Sequence, residues 1–259
     1  MRQALHCPHS SIDTAGELSS IANPVAAQLA DALETSWPAI ARANQLPPAG
    51  DWQVWLLLAG RGFGKTRTLA EWVCQQAASE QARRIALVAA TAADARDVLV
   101  EGQSGILAVA PTWFRPVYEP SKRRLTWPNG AIATTFSAEE PERLRGPQHD
   151  AAVCDELGSW SRPETWDMLQ FGLRLGRHPR CLVATTPRPT RLIRELLARE
   201  DRDIVVTRGS TYENRANLAP GFFAQIIRKY EGPFTVTDRL KLEDFIAVRQ
   251  AAGKPAAQR

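Results

Sequence analysis

No stretch of this 259-residue chain is apolar over the roughly 20 residues that a membrane-spanning helix requires. The opening residues, Met1 to Pro8, hold no apolar core of the signal-peptide type, so a protein that stays in the cytoplasm is expected. Cysteine is scarce and unpaired: the four residues, at 7, 74, 154 and 181, share no regular spacing. That argues against a disulfide framework. Cys74, Cys154 and Cys181 sit in apolar stretches and read as reduced packing residues. His6, Cys7 and His9 cluster, but no second pair completes a metal site. A strong net charge is also missing. The formal value of +4 is compatible with DNA and marks no nucleic-acid domain by itself. Basic residues do group locally, as Lys122-Arg123-Arg124, Arg143 with Arg145, and Arg188 with Arg191 and Arg194. Solvated surface faces account for each group as well as DNA contacts do. Internal repeats and low-complexity tracts are absent.

What is present is ordinary for a globular protein: 44% hydrophobic and 23% charged residues, enough for one large α/β domain with or without a tail. Residues 1–20 are polar, aperiodic and read as a flexible N-terminus. Residues 21–50 read as a helical segment. Asn23-Pro24 has the character of a helix start, and Leu29, Leu33, Trp37 and Ile40 follow helical spacing. Residues 51–232 then alternate strands with helices: strands at 54–59, 84–90, 151–154, 181–185 and 204–208, helices at 65–78, 91–101, 164–175, 190–199 and 219–231. Capping boxes are read at Thr91-Ala92-Ala93-Asp94 and Ser161-Arg162-Pro163-Glu164, and a hairpin around Asn129-Gly130. The alternation predicts an α/β fold with a mostly parallel central sheet flanked by helices. Residues 233–259 form a divergent tail.

Within that frame, Ala59-Gly60-Arg61-Gly62-Phe63-Gly64-Lys65-Thr66 joins a strand to a helix. Glycines let backbone N–H groups converge on phosphate oxygens, and the helix N-terminus favours the anion. Lys65 has the reach for the β- and γ-phosphates of ATP, and the Thr66 hydroxyl is a candidate ligand for Mg2+. The motif is imperfect, since its first glycine position holds Ala59. The second half of such a site is Asp155-Glu156, at the end of an apolar strand. Asp155 is placed to hold the Mg2+ shell, and Glu156 to polarise the attacking water. Adjacent Asp and Glu point to a P-loop NTPase of the ASCE type, whose catalytic group is a glutamate, rather than to kinases or GTPases. Trp52 and Trp55 are candidates to stack near a base, although buried packing at a sheet is the commoner use of tryptophan.

Taken together, these residues resemble the large subunit of viral DNA-packaging terminases, in the tailed-phage, prophage and gene-transfer-agent branch. Trp52 to Thr66, with Arg61 inside the loop, resembles their phosphate loop. Leu144-Arg145-Gly146-Pro147-Gln148-His149-Asp150, leading to Cys154-Asp155-Glu156, resembles their second motif. Ala184-Thr185-Thr186-Pro187 resembles their coupling motif, and Thr211-Tyr212-Glu213-Asn214 the segment that follows it. The resemblance covers about residues 35–232. It implies that the loop from Gly60 to Thr66 binds the phosphates of ATP. Asp155 would complete the Mg2+ site and Glu156 would be the catalytic carboxylate. Thr185 and Thr186 would sense the γ-phosphate, and Arg145 would act as an arginine finger on a neighbour in a homo-oligomeric ring. Arg61 is a candidate for the same role in cis. Gln45 fits the upstream glutamine that contacts adenine in such motors better than Gln53 does. The implied partners are double-stranded DNA, a portal protein and a small terminase subunit, in the cytoplasm of a bacterial host.

One departure matters. Large terminase subunits join an ATPase to a nuclease that cuts DNA with two metal ions, whereas here the likeness ends near Tyr230-Glu231-Gly232. Asp238, Glu243 and Asp244 in the tail read as surface carboxylates, so no nuclease activity is expected from this chain. A truncated gene product and a separately encoded motor subunit both fit. A helicase-like DNA-dependent ATPase and a non-catalytic nucleotide-binding remnant remain as alternative functions.

Overall fold

The computed structural model describes residues 36–222 and 224–225. The chain divides into two compact units, Met1–Ala43 and Asn44–Arg259. In the first, one short helix, α1 (Trp37–Ile40), follows Ser36, with proline in its first turn. The helical segment expected over residues 21–50 is helical only briefly where it is described: Ser36 and Ala41 both have extended backbone, so α1 stands as a single turn between them. The earlier part of that segment from Asn23, the His6-Cys7-His9 cluster and the tail from Pro233 lie outside the described residues, as does most of the helix expected at 219–231.

The second unit is built on eight strands: β1 (Val54–Ala59), β2 (Arg84–Ala89), β3 (Val117–Glu119), β4 (Arg124–Thr126), β5 (Ile132–Ser137), β6 (Ala151–Asp155), β7 (Arg180–Thr185) and β8 (Ile204–Gly209). Their order across the sheet is β3-β4-β5-β2-β6-β7-β1-β8. From β5 to β8 all neighbours are parallel, while β4 runs antiparallel to both β3 and β5. The sequence dictates this arrangement. All six residues of β1 are buried, as expected of a parallel strand covered on both faces. Side chains alternate along it, so Trp55, Leu57 and Ala59 enter one core with Leu69, Trp72 and Val73, while Val54, Leu56 and Leu58 enter another with Trp166, Leu169 and Ile193. The helices supplying those partners are α2 (Lys65–Ala78), α5 (Glu164–Gly172) and α6 (Arg191–Leu197). The mostly parallel sheet flanked by helices is the α/β fold that the pattern of elements predicts.

Three local expectations need correction. The helix after Thr91 has its capping box, with the Thr91 hydroxyl accepting from Asp94 N–H. Its α-helical part, α3 (Ala92–Asp94), passes directly into a π-helical turn, Ala95–Val100. Ser161 does not cap α5; Pro163 stands at its N-cap without a side-chain hydrogen bond. That helix also ends at Gly172, not near Leu175, because the chain turns aside to pair with His149. His149 N–H donates to the Gly172 carbonyl, and Arg174 and Leu175 N–H groups both donate to the His149 carbonyl. Two short elements carried no readable signal, the helix α4 (Ile106–Val109) and the edge strand β3.

The topology decides where chemistry can occur. In a parallel sheet the C-terminal ends of the strands share one edge, and ligands bind in the crevice outside it. Because β7 lies between β1 and β6, the residues after Ala59, Thr185 and Asp155 emerge there side by side.

Candidate nucleotide-binding and catalytic site

The loop from Gly60 to Gly64 leaves β1 and enters α2 without a side-chain cap. Gly62 and Gly64 adopt φ of 75° and 99°, a region closed to most side chains. Ala59, in place of the motif's first glycine, is still strand: it pairs with Gly209 in β8, is fully buried and has no positive φ. Its methyl therefore fits at the position where the motif has glycine. Phe63 is buried with its ring seated on Gly209, where even a Cβ would collide with the ring.

Lys65, the first residue of α2, is buried and curls back over the loop. Its ammonium donates to the carbonyls of Ala59 (3.1 Å) and Gly60 (3.2 Å) and to Thr186 Oγ1 (3.2 Å). It also lies 3.4 Å from Glu156 Oε1. Glu156 in turn accepts from the Thr186 N–H through Oε2 (3.1 Å) and from the Thr186 hydroxyl through Oε1 (3.0 Å). Lys65, Glu156 and Thr186 thus form one polar cluster at the strand ends. Glu156 holds φ 47°, ψ 45°, a left-handed conformation costing a non-glycine residue on the order of 1 kcal/mol. Its carbonyl accepts from Ser159 N–H and Oγ, which stabilises that turn.

Asp155 ends β6, buried, with its carboxyl pushed up to about 7, first by burial and then by the neighbouring Glu156, while Lys65 pulls the other way. A buried carboxyl kept from ionising is a site that a divalent cation would relieve, so its donor chemistry fits Mg2+. A pH dependence follows. The folded-state pKa is above the ordinary 3.8, so the folded chain holds the proton more tightly than the unfolded one. Its stability therefore falls as pH rises from about 4 to about 7, and stays lower above that. Asp155→Asn should raise the melting temperature of the nucleotide-free protein at pH 8 by roughly 5 °C and flatten this slope. Thermal unfolding from pH 5 to 8 checks it; an unchanged slope in the variant would exclude Asp155 as its source.

The two threonines differ in placement. Thr185 is fully buried; its hydroxyl accepts from Gly158 N–H (3.0 Å) and donates to the Thr186 carbonyl (3.1 Å), tying the loop after Glu156 to β7. Thr186 is the one touching Lys65 and Glu156. Thr66 is half-buried at the start of α2. Gln45 is buried and donates to Thr68 Oγ1 (3.1 Å), one turn into α2, and Thr68 donates to the Gly64 carbonyl. Arg145 is outside the cluster: it is exposed, follows the 3-10 turn Pro141–Leu144, and pairs with Glu142 at 3.1 Å. Arg61 is exposed, and its backbone carbonyl accepts from Thr211. Trp52 and Trp55 are buried, edge to face at 6.2 Å, with indole N–H groups given to the Pro48 carbonyl and Thr207 Oγ1. They pack the sheet.

The other basic groups are partly neutralised on the spot: Lys122 and Arg124 by Glu119, Arg123 and Arg143 by Glu140, Arg191 by Glu195. Arg84, Lys122, Arg123 and Arg143 nonetheless line one concavity of about 540 Å³ that has no carboxylate in its wall. Among the described residues no three His, Cys, Asp or Glu side chains gather as a metal site, and no helix is long and apolar enough to cross a membrane.

A glycine loop between β1 and α2, and an extra strand separating it from the carboxylate strand, define a P-loop NTPase fold of the ASCE type. Within that class the chain belongs to the family described as terminase large subunit, T4likevirus-type, N-terminal, whose model matches residues 56–234. Comparison with curated protein sequences finds no match. Among solved structures, the large terminase of a thermophilic bacteriophage superposes with TM-score 0.59 at 13% identity, over 77% of this chain and 49% of that one. The ATPase domain of the Thermus phage P74-26 large terminase gives 0.51 at 15% identity, over 70% and 84%. The HK97 bacteriophage large terminase gives 0.50 at 20% identity, over 62% and 36%. This chain thus spans about half the length of the first of these proteins.

Proposed function

We propose that this chain is the ATP-hydrolysing motor part of a viral terminase, which drives double-stranded DNA into a prohead. The observation that carries the reading is the meeting of Lys65, Glu156 and Thr186 within 3.4 Å at the shared end of three parallel strands. The large terminase of the thermophilic bacteriophage has been solved with ADP and with ATP-gamma-S, which supports ATP as the nucleotide here.

In this reading, N–H groups of the loop and of the first turn of α2 surround the phosphates, with Lys65 supplying the positive charge. Lys65 exchanges its carbonyl and Glu156 contacts for phosphate oxygens. Thr66 and Asp155 would hold Mg2+, which neutralises phosphate charge when bound. Glu156 orients and polarises the attacking water, and is itself oriented by the two hydrogen bonds from Thr186. A carboxylate held by the residue that follows β7, which itself takes a hydrogen bond from Lys65 of the phosphate loop, will feel any shift of that loop, so Thr186 couples the nucleotide to Glu156, with Thr185 as its anchor. Gln45, fixed on Thr68, is assigned to the adenine side.

Arg145 is assigned to the site of a neighbouring subunit in a homo-oligomeric ring. Its exposure supports this: a residue that must reach another chain cannot be buried in its own. An arginine finger contributes ~10³–10⁵ in rate where it has been measured. Arg145→Ala and Glu156→Gln should each be inactive alone in the assembled state. Mixed together they should regain turnover, because a ring then contains intact carboxylates facing intact arginines. Absence of any recovery on mixing would remove the finger assignment.

The other proposed partners are a portal protein and a small terminase subunit. The test of the whole reading is ATP turnover with and without duplex DNA and portal. The motor predicts stimulation by DNA that weakens as salt rises, as phosphate contacts do. Nucleotide binding without turnover under any of these conditions would leave only a binding remnant, and DNA unwinding with strand polarity would indicate a helicase-like enzyme.

A further inference from the structure

The segment after β8 grips the phosphate loop from outside, at two adjacent carbonyls. Thr211 Oγ1 donates to the Arg61 carbonyl at 2.8 Å, and Asn214 Nδ2 donates to the Gly62 carbonyl at 2.6 Å. Both donors sit on the 3-10 turn Thr211–Asn217, and both are held in place. Ser210 N–H and Glu213 Oε1 close a capping box at its start (2.6 Å), and Glu213 Oε2 accepts from Asn44 (2.6 Å). Asn217 donates to Asn214 Oδ1 at 3.0 Å, which leaves the amide nitrogen of Asn214 for the loop.

Pinning a carbonyl fixes more than the carbonyl. The peptide is planar, and no cis bond occurs among the described residues, so the C=O of one residue and the N–H of the next point in opposite directions. Holding the Arg61 and Gly62 oxygens outward therefore aims the N–H groups of Gly62 and Phe63 inward. The Phe63 N–H accordingly reaches across the loop to the Gly60 carbonyl, at a long 3.4 Å that a better acceptor can replace. This matters because Gly62, at φ 75°, has no side chain to restrict its backbone, and a glycine-rich loop samples many peptide orientations unless its carbonyls are held.

We propose that Thr211 and Asn214 are positioning residues of the phosphate loop, which set the Gly62 and Phe63 N–H groups for an incoming β,γ-phosphate. By reciprocity, a phosphate bound to those N–H groups tightens the turn 211–217, so nucleotide occupancy is transmitted to the segment that leaves the sheet after β8. The inference rests on the nucleotide site argued above and adds two residues and a direction of coupling to it.

The test uses the full chain with Thr211→Val, Thr211→Ser, Asn214→Leu and the Thr211→Val/Asn214→Leu double variant. Each single loss of a donor should raise the Kd for ADP and the KM for ATP about 5- to 10-fold, the effect of one hydrogen bond of ordinary strength, with kcat within about threefold. Thr211→Ser keeps the hydroxyl and should match wild type. Amide hydrogen exchange in residues 211–217 should slow on adding ADP in wild type, and lose that response in the double variant. Asn214 is half-buried at the surface, so its replacement should leave the nucleotide-free melting temperature within a few degrees even where Thr211→Val lowers it. ADP affinity in Asn214→Leu equal to that of a binding-competent wild type, or Thr211→Ser as weak as Thr211→Val, would overturn the proposal. A wild-type chain that bound no ADP would instead overturn the nucleotide site on which it stands.

Discussion

Glu156→Gln is expected to lower kcat for ATP about 10³-fold while leaving ADP affinity within about threefold of wild type. A positioned general base contributes 10²–10⁴ in rate, and Gln keeps the shape of Glu156 without its charge or basicity. The ground-state contacts argue for near-normal binding. Glu156 lies 3.4 Å from Lys65 and takes two hydrogen bonds from Thr186. Gln retains an acceptor for one of these, and frees Lys65 from a competing anion. The left-handed backbone at 156 is common to both residues, so strain does not change. Single-turnover hydrolysis beside equilibrium ADP binding separates the two quantities. A kcat within tenfold of wild type would move the catalytic role away from this carboxylate.

Lys65→Ala should have the larger effect on binding, with turnover lost to background. In the nucleotide-free chain the buried ammonium is satisfied by two carbonyls, a hydroxyl and a carboxylate. Removing it leaves the Ala59 and Gly60 carbonyls facing the phosphate position with no cation between them. Repulsion then replaces attraction in a site screened from water, where charge interactions are strong. The variant should fold, because Lys65 is the first residue of α2 and Ala is the best helix former. Circular dichroism establishes the fold, and ATP and ADP titration establishes the loss.

Much of this was legible in the sequence because two periodicities meet sharply. The apolar run from Val54 to Ala59 breaks at three glycines in five residues, and helical spacing begins at Lys65, so β1 and α2 were readable to the residue. Asp155-Glu156 was readable because a short run of small apolar residues ends there. Cys154 and Cys181 read correctly as packing residues; both are buried on neighbouring strands with sulfurs 3.9 Å apart.

What stayed hidden depends on distance along the chain. Nothing local distinguishes Thr185 from Thr186; only the pairing of β7 with β1 and β6 sends one hydroxyl to Gly158 and the other to Glu156. The end of α5 is set by pairing with His149, more than twenty positions earlier, and no periodicity within the helix records it. The role of Thr211 and Asn214 requires contacts across 150 and 152 positions. The family likeness marked that segment as worth noticing, and only the fold gives it something to hold. Arg145 stands apart: the isolated chain leaves it exposed beside Glu142, and the finger role proposed for it requires a second copy.

The most direct measurement is phosphate release from ATP in the presence of Mg2+ and duplex DNA, with wild type and Lys65→Ala assayed side by side. The account predicts turnover by wild type that rises with DNA, and none above background in the variant. Hydrolysis that survives Lys65→Ala would contradict it.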